Sequence, residues 1–177
     1  MKNLGILFID MQDYFIKDSL PNEIEQLIQY QKILLNFASQ KEVPIFVLEY
    51  QDEEIQMGNT TKELLIEMQK NEVYFIPKYQ DNGFLKERPY SGENSFEMKH
   101  QNYELSRKLE EGQIKHLIIT GINKDACVLK TAKGAKSRNY TIFTAEELMN
   151  MNKLRVEWFY NNPTHYQTLN GLLKNLL

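Results

Sequence analysis

The sequence predicts a three-layer α/β/α domain with a mainly parallel, Rossmann-like sheet. Apolar strand-like segments alternate with amphipathic helix-like segments between residues 4 and 145. The first segment, Leu4–Ile9, is a continuous apolar run, which is typical of a strand buried on both faces. This alternation favours right-handed crossovers with helices on both faces of the sheet. The 177 residues, 42% of them hydrophobic, suit one domain with a substantial core, so we expect residues 1–177 to form a single domain.

Five segments have the length and composition of strands. Each is a short run rich in β-branched, aliphatic or aromatic residues, bounded by polar or turn-forming residues. The predicted strands are residues 4–9, 43–48, 73–77, 116–121 and 140–144. Pro44 falls near the start of the second, where a strand tolerates it.

Apolar residues at helical spacing predict the helices between these strands. Pro21 and Asn22 precede the first, Thr60 and Glu63 form a potential capping box before the second, and Gly112 is a plausible stop for the third. The apolar stripes lie within residues 24–38, 64–68, 101–111 and 126–138, with less regular patterns at 152–160 and 164–176. Residues 85–100 lack periodicity and predict a long loop, often a lid or binding element in compact domains.

Composition excludes several functional classes. The net charge of −3 and the scattered lysines leave no basic surface for nucleic acid. No apolar run reaches the roughly 18 residues that span a bilayer, so we predict no membrane partner. A single cysteine cannot form an internal disulfide, which makes a cytoplasmic setting the default expectation.

Three ionisable residues stand at the ends of predicted strands or just beyond them. Asp10 follows the first strand, Lys78 the third, and Cys127 follows the fourth at a predicted helix start. The carboxyl ends of parallel strands meet at one edge of a sheet, where ligands bind. A thiol at a helix start can ionise below its usual pKa of about 8.5. Taken singly, a lone cysteine is more often a small buried apolar residue, and the other two could be ordinary solvated loop residues.

Three segments together resemble the isochorismatase-like cysteine hydrolases. Residues 8–15, FIDMQDYF, are similar to the family's opening strand and D-M-Q-x-x-F segment. Residues 78–84, KYQDNGF, are similar to its K-x-x-x-S-A-F segment, and residues 121–140 to its G-x-x-T-x-x-C-V-x-x-T-A and R-G-Y pattern. The resemblance implies the isochorismatase-like fold and a small-molecule substrate.

The family's catalytic triad carries over to Asp10, Lys78 and Cys127. By this resemblance, Cys127 would attack a carbonyl carbon, Asp10 would carry the proton to the leaving amine, and Lys78 would pair with Asp10. The family's non-proline cis peptide falls at Ile122–Asn123, and the N–H groups of Asn123 and Cys127 would form the oxyanion hole. The cysteine favours hydrolysis of a small amide, ureido or related C–N bond through a thioester.

The same resemblance bears on metal and pocket residues. Family nicotinamidases bind a metal through a D-x-H-x-x-H run, whereas residues 51–57 here contain no histidine. His100, His116 and His165 are widely separated. We therefore predict no metal and no cofactor, and we do not favour nicotinamide. Phe15 has the spacing of a substrate-binding aromatic, although an ordinary core position explains it equally well.

The sequence departs from the family pattern at several positions near the expected site. Lys124 replaces a Thr, Asn82–Gly83 replaces Ser-Ala, and Ala145–Glu146 replaces a D-A pair. We predict that Lys124 contributes to substrate binding, with its charge binding an acidic substrate. Alternatively, its charge could lower the pKa of the Cys127 thiol, or its side chain could point to solvent. Family members commonly associate, and residues 158–160 and 169–177 are apolar, so we expect a homo-oligomer, a dimer or larger.

Two alternative functions remain open from sequence. The chain could be a catalytically idle family member that binds a small ligand or serves in an assembly. It could also be a flavodoxin-type nucleotide or flavin binder, but residues 10–14 are acidic and contain no glycine, a poor cradle for phosphate.

Overall fold

A parallel sheet of six strands forms the centre of the molecule. The computed structural model describes residues 2–17, 19–85, 101–149 and 155–176. Within these residues the strand order is β3-β2-β1-β4-β5-β6, and every pairing is parallel. The strands are β1 (Leu4–Ile9), β2 (Ile45–Tyr50), β3 (Val73–Lys78), β4 (His116–Gly121), β5 (Thr141–Ala145) and β6 (His165–Tyr166). The predicted α/β fold is confirmed.

Helices connect the strands and cover both faces of the sheet. They are α1 (Asp13–Ile16), α2 (Pro21–Lys41), α3 (Lys62–Met68), α4 (Tyr103–Glu111), α5 (Leu129–Ser137), α6 (Glu157–Tyr160) and α7 (Leu169–Leu176). A π-helical turn, Lys124–Val128, precedes α5, and a 3₁₀ turn, Glu146–Leu148, follows β5. Among the described residues, no helix is both long enough and apolar enough to cross a membrane.

The apolar run of β1 contributes to two separate cores. Ile6 and Phe8 pack with α2, α3 and α7 on one face of the sheet, whereas Leu7 and Ile9 pack with α4, α5 and Phe159 of α6 on the other. Side chains alternate between faces along a strand, so a strand covered on both faces needs an apolar residue at every position.

Several local predictions differ from the structure. The sequence predicts one helix over residues 164–176, but His165 and Tyr166 form β6 beside β5, and α7 begins only at Leu169. The predicted capping box at Thr60 is also wrong, because the Thr60 hydroxyl and N–H both donate to the Glu49 carboxylate. The predicted loop 85–100 lies outside the described residues except for Leu85, and residues 152–154 of the predicted helix 152–160 are outside them too.

Candidate active site

The sheet brings Asp10, Lys78 and Cys127 to one edge. Asp10 follows β1, Lys78 ends β3, and Cys127 lies in the π-helical turn after β4. Since β2 separates β1 from β3, Lys78 needs a long side chain to reach Asp10. Its Nζ lies 4.8 Å from the ring centroid of Tyr50, the last residue of β2, and 2.8 Å from Asp10 Oδ2.

Asp10 and Lys78 form a fully buried ion pair. The two side chains are 1% and 0% exposed, and Lys78 Nζ also donates to the carbonyl of Gln80 at 2.9 Å. Burial raises the pKa of the Asp10 carboxyl, and the charge of Lys78 offsets part of that rise. The Cys127 thiol also lies within hydrogen-bonding reach of this carboxylate. Asp10 therefore contacts both the cation and the thiol.

Local backbone geometry supports the position of Asp10. Its φ of 53° lies in the left-handed region, which Asp tolerates better than most residues. Two residues on, the Gln12 side chain accepts from the Tyr50 N–H at 2.6 Å and donates to the Tyr50 and Gly58 carbonyls. This clamp explains the Gln of the D-M-Q segment, because it ties the end of β1 to the end of β2.

The Cys127 thiol is also buried. The residue is 5% exposed, and Sγ is 3.6 Å from Asp81 Oδ1. Burial raises the thiol pKa, and the negative charge of Asp10 raises it further, while Lys78 opposes the shift. The expectation that the Cys127 thiol has a pKa below its usual value is therefore wrong. The physical reason is that desolvation and flanking carboxylates outweigh the nearby ammonium.

Asp81 is a site residue that the sequence analysis missed. Its carboxylate contacts Cys127 through Oδ1 and Lys130 Nζ through Oδ2, the latter at 2.5 Å. Its carbonyl accepts a hydrogen bond from Thr131 Oγ1 at 3.1 Å. The available signal was its place within the family-like segment 78–84, together with the i, i+3 spacing of Cys127 and Lys130.

The Ile122–Asn123 peptide bond is cis, as the resemblance predicts. The carbonyl of Asn123 accepts hydrogen bonds from the N–H groups of Ala126 and Val128. The bond from Val128 spans five residues and closes the π-helical turn that carries Cys127. The oxyanion role of the Asn123 and Cys127 N–H groups stays a prediction.

Lys124 is buried rather than directed to solvent. Its ammonium pairs with the carboxylate of Glu146, and His165 Nε2 lies 3.4 Å from the other Glu146 oxygen. His165 Nδ1 lies 2.8 Å from Thr144 Oγ1. The solvent alternative for Lys124 is therefore wrong, because its positive charge is engaged inside the protein. Its role in substrate binding stays a prediction.

Phe15 belongs to the core margin next to the site. It packs against the α2 side of the core, and its ring meets Tyr50 edge-on at a centroid distance of 6.1 Å. Since Tyr50 contacts Lys78, Phe15 is one aromatic ring away from the ion pair. The core interpretation of Phe15 fits these contacts, and its substrate-binding role stays a prediction.

The two histidines in the described residues contact other side chains of the fold. His116 begins β4 and lies edge-on to Phe143 at 6.2 Å, while His165 belongs to the Glu146 cluster. Within the described ranges, no group of three His, Cys, Asp or Glu side chains is arranged to hold a metal ion. His100 lies outside the described residues.

Solved structures share this architecture. A nicotinamidase from Staphylococcus aureus is 23% identical with a TM-score of 0.68, and the match covers 91% of this chain and 94% of the other. An N-carbamoylsarcosine amidase from Thermoplasma acidophilum is 18% identical with a TM-score of 0.65, covering 89% and 88%. An octameric hydrolase of unknown specificity from Escherichia coli is 17% identical with a TM-score of 0.66, covering 96% and 77%. At these identities the similarity shows the fold.

Sequence comparison provides the family. No curated protein matches the chain. The Isochorismatase domain model matches residues 5–152, which include Asp10, Lys78 and Cys127 and, apart from Leu4, all of the sheet except β6. This match covers most of the sequence, and the chain therefore belongs to the isochorismatase family of hydrolases.

Proposed function

We propose that this chain is a cysteine-dependent hydrolase of a small amide, ureido or related C–N compound. The observation that carries the proposal is the buried Asp10–Lys78 ion pair beside the Cys127 thiol. A base, a cation and a nucleophile at the carboxyl edge of a parallel sheet are the groups that acyl transfer requires. The amidase and nicotinamidase neighbours support a C–N substrate.

The raised thiol pKa determines how the first step proceeds. Cys127 is protonated at neutral pH, so the thiol loses its proton to Asp10 as sulfur attacks the carbonyl carbon. Burial makes Asp10 a stronger base than an exposed carboxylate. The new S–C bond produces a tetrahedral oxyanion, for which we assign the N–H groups of Asn123 and Cys127 as donors.

The remaining steps return every group to its starting state. The C–N bond breaks as Asp10 gives its proton to the departing nitrogen, leaving a thioester on Cys127. Water then attacks the thioester carbonyl and gives a proton to Asp10. Collapse breaks the S–C bond, releases the carboxylic acid, and the sulfur recovers its proton from Asp10. Lys78 stabilises the ionised form of Asp10 at each stage where the carboxylate is free.

A screen of small amides and ureido compounds for ammonia release tests this function. The wild-type protein should release ammonia from at least one of them, and Cys127→Ala should not. Glu63→Gln is the matched control, since Glu63 forms an exposed ion pair with Lys32 between α2 and α3. Activity retained in Cys127→Ala would reject the thiol mechanism. A folded wild-type protein inactive on every member of the panel would favour the catalytically idle alternative.

We also propose that the chain forms a homo-oligomer. The support is the octameric neighbour from Escherichia coli. The apolar residues at 158–160 and 169–177 support an interface less than the sequence suggests. Leu169, Leu172 and Leu176 are buried in the chain's own core, and Phe159 is fully buried. Light scattering at micromolar concentration should give a mass above 21.0 kDa, and a monomeric mass would contradict the proposal.

A further inference from the structure

The Asp81 carboxylate lies between the nucleophilic sulfur and a surface lysine. Its Oδ1 is 3.6 Å from Cys127 Sγ, and its Oδ2 is 2.5 Å from Lys130 Nζ. One oxygen of the carboxylate therefore contacts the thiol while the other contacts the ammonium. The ammonium pairs with the oxygen that does not contact the sulfur, so it offsets part of the carboxylate charge without separating Oδ1 from the sulfur.

Asp81 is held in this position by its backbone. Thr131 of α5 donates its hydroxyl to the Asp81 carbonyl at 3.1 Å and accepts from the Gly83 N–H at 2.9 Å. The segment that carries Asp81 is thereby attached to the helix that follows Cys127. A carboxylate fixed from two directions is a constant part of the site's electrostatic field, in contrast to a freely rotating surface side chain.

Exposure to solvent increases from Cys127 through Asp81 to Lys130. Cys127 is 5% exposed, whereas the side chains of Asp81 and Lys130 are 42% and 55% exposed. Partial burial opposes ionisation of Asp81, but the hydrogen bond and charge of Lys130 outweigh it and lower the pKa of that carboxyl. Asp81 therefore carries a full negative charge at neutral pH, on the solvent side of the thiol.

We propose that Asp81 is a specificity-determining residue that selects against anionic substrates at Cys127, and that Lys130 moderates this selection. The proposal rests on Cys127 being the nucleophile of the proposed function. An anionic group brought to the sulfur meets a like charge at contact distance, and such repulsion is a common device of specificity. Neutral amides and ureido compounds do not experience this repulsion. The favoured substrates are therefore amides or ureido compounds without a carboxylate near the scissile bond.

The single cysteine permits a direct test without a known substrate. Iodoacetamide is neutral and iodoacetate is anionic, and each forms one S–C bond at Cys127 with loss of iodide. The ratio of the two alkylation rates, measured by intact mass at one pH, cancels the fraction of thiolate. It therefore reports how the site discriminates against negative charge.

We expect opposite shifts from the two members of the ion pair. Asp81→Asn should lower the iodoacetamide-to-iodoacetate ratio by about three- to tenfold, and Lys130→Met should raise it by about twofold. Loss of the ion pair as a structural contact would move both variants in the same direction. Asp125→Asn is the matched control, because it removes an exposed carboxylate two residues from Cys127 and should leave the ratio unchanged. Asp81→Ser, which also removes the charge, replaces Asp81→Asn if that variant does not fold.

Unchanged ratios in the charge-removing Asp81 variants, or shifts of the same sign in the Asp81 and Lys130 variants, would overturn the proposal. Failure of the hydrolase function has a different signature. In that case the amide screen gives no ammonia although the alkylation ratios shift as expected. Ammonia release with unchanged ratios would instead retain the hydrolase and reject the role of Asp81.

Discussion

Lys124 and Glu146 form an ion pair that joins two departures from the family pattern. Lys124 replaces the Thr three residues before Cys127, and Glu146 follows β5 where the family has D-A. Either departure alone would place an unpaired charge near the turn that carries Cys127. Together they neutralise one another, with His165 and Thr144 continuing the contacts toward β6. We interpret this ion pair as a structural link between the turn that carries Cys127 and the end of β5.

The two partners of this ion pair should contribute unequally to stability. The Lys124 side chain is 2% exposed and that of Glu146 is 26% exposed. Glu146→Gln would leave a buried ammonium without its carboxylate, and we expect a loss of about 3 kcal/mol. Lys124→Met should cost less, since the Glu146 carboxylate still reaches solvent. The double variant should recover part of the loss, as urea unfolding can measure. A larger loss for Lys124→Met than for Glu146→Gln would contradict this assignment.

The same pair makes part of the stability dependent on pH. Hydrogen bonding from His165, assisted by Lys124, lowers the pKa of Glu146 from 4.5 to about 2. A carboxyl whose pKa is depressed in the folded state contributes stability above its unfolded pKa and loses it as pH falls through the folded value. The stability difference between wild type and Glu146→Gln should therefore be largest above pH 4.5 and shrink toward pH 2. Most of the difference seen at neutral pH should be lost, because a protonated Glu146 leaves the Lys124 ammonium without a carboxylate charge, as Gln does. A difference independent of pH would contradict the prediction.

Asp10 and Lys78 should affect thiol reactivity in opposite directions but turnover in the same direction. Asp10 raises the thiol pKa and Lys78 lowers it. Asp10→Asn should therefore speed alkylation of Cys127 at pH 7, and Lys78→Met should slow it, as iodoacetamide rates will show.

Turnover should fall in both variants, by about 10²–10⁴-fold for Asp10→Asn, because proton transfer is lost. The double variant should lose little more, because the groups act as a unit. Folded Asp10→Asn protein with near wild-type turnover would reject the mechanism.

Gly121 should be intolerant of any side chain. Its φ is +137°, and a Cβ there would lie 2.1 Å from the carbonyl oxygen of Ile9, the residue before Asp10. Gly121→Ala must displace backbone, and we expect a loss of about 3 kcal/mol or more together with loss of turnover. Gly58→Ala is the matched control, since Gly58 also has a positive φ of +73° but its nearest neighbour would lie at 3.4 Å. Equal losses of thermal stability in the two variants would contradict the prediction.

The architecture could be read from sequence because it depends on local and periodic properties. The continuous apolar run of β1 indicated a strand covered on both faces, and the alternation of strands and helices indicated a parallel sheet. Parallel strands present their carboxyl ends at one edge. The convergence of Asp10, Lys78 and Cys127 at that edge therefore followed from the parallel direction of the predicted strands. β6 was missed because two residues are too few to display a period.

Other properties of the site were decided only by the tertiary structure. Asp81 and Cys127 are 46 positions apart, and Lys124 and Glu146 are 22 apart. Such contacts depend on where loops return to the sheet, and no local pattern encodes that position. The thiol pKa likewise depends on a balance between burial, two carboxylates and one ammonium. The sequence by itself determined the fold and the residue types at the sheet edge. Tertiary packing decided which charges touch the thiol, because electrostatic energies depend on distance and desolvation.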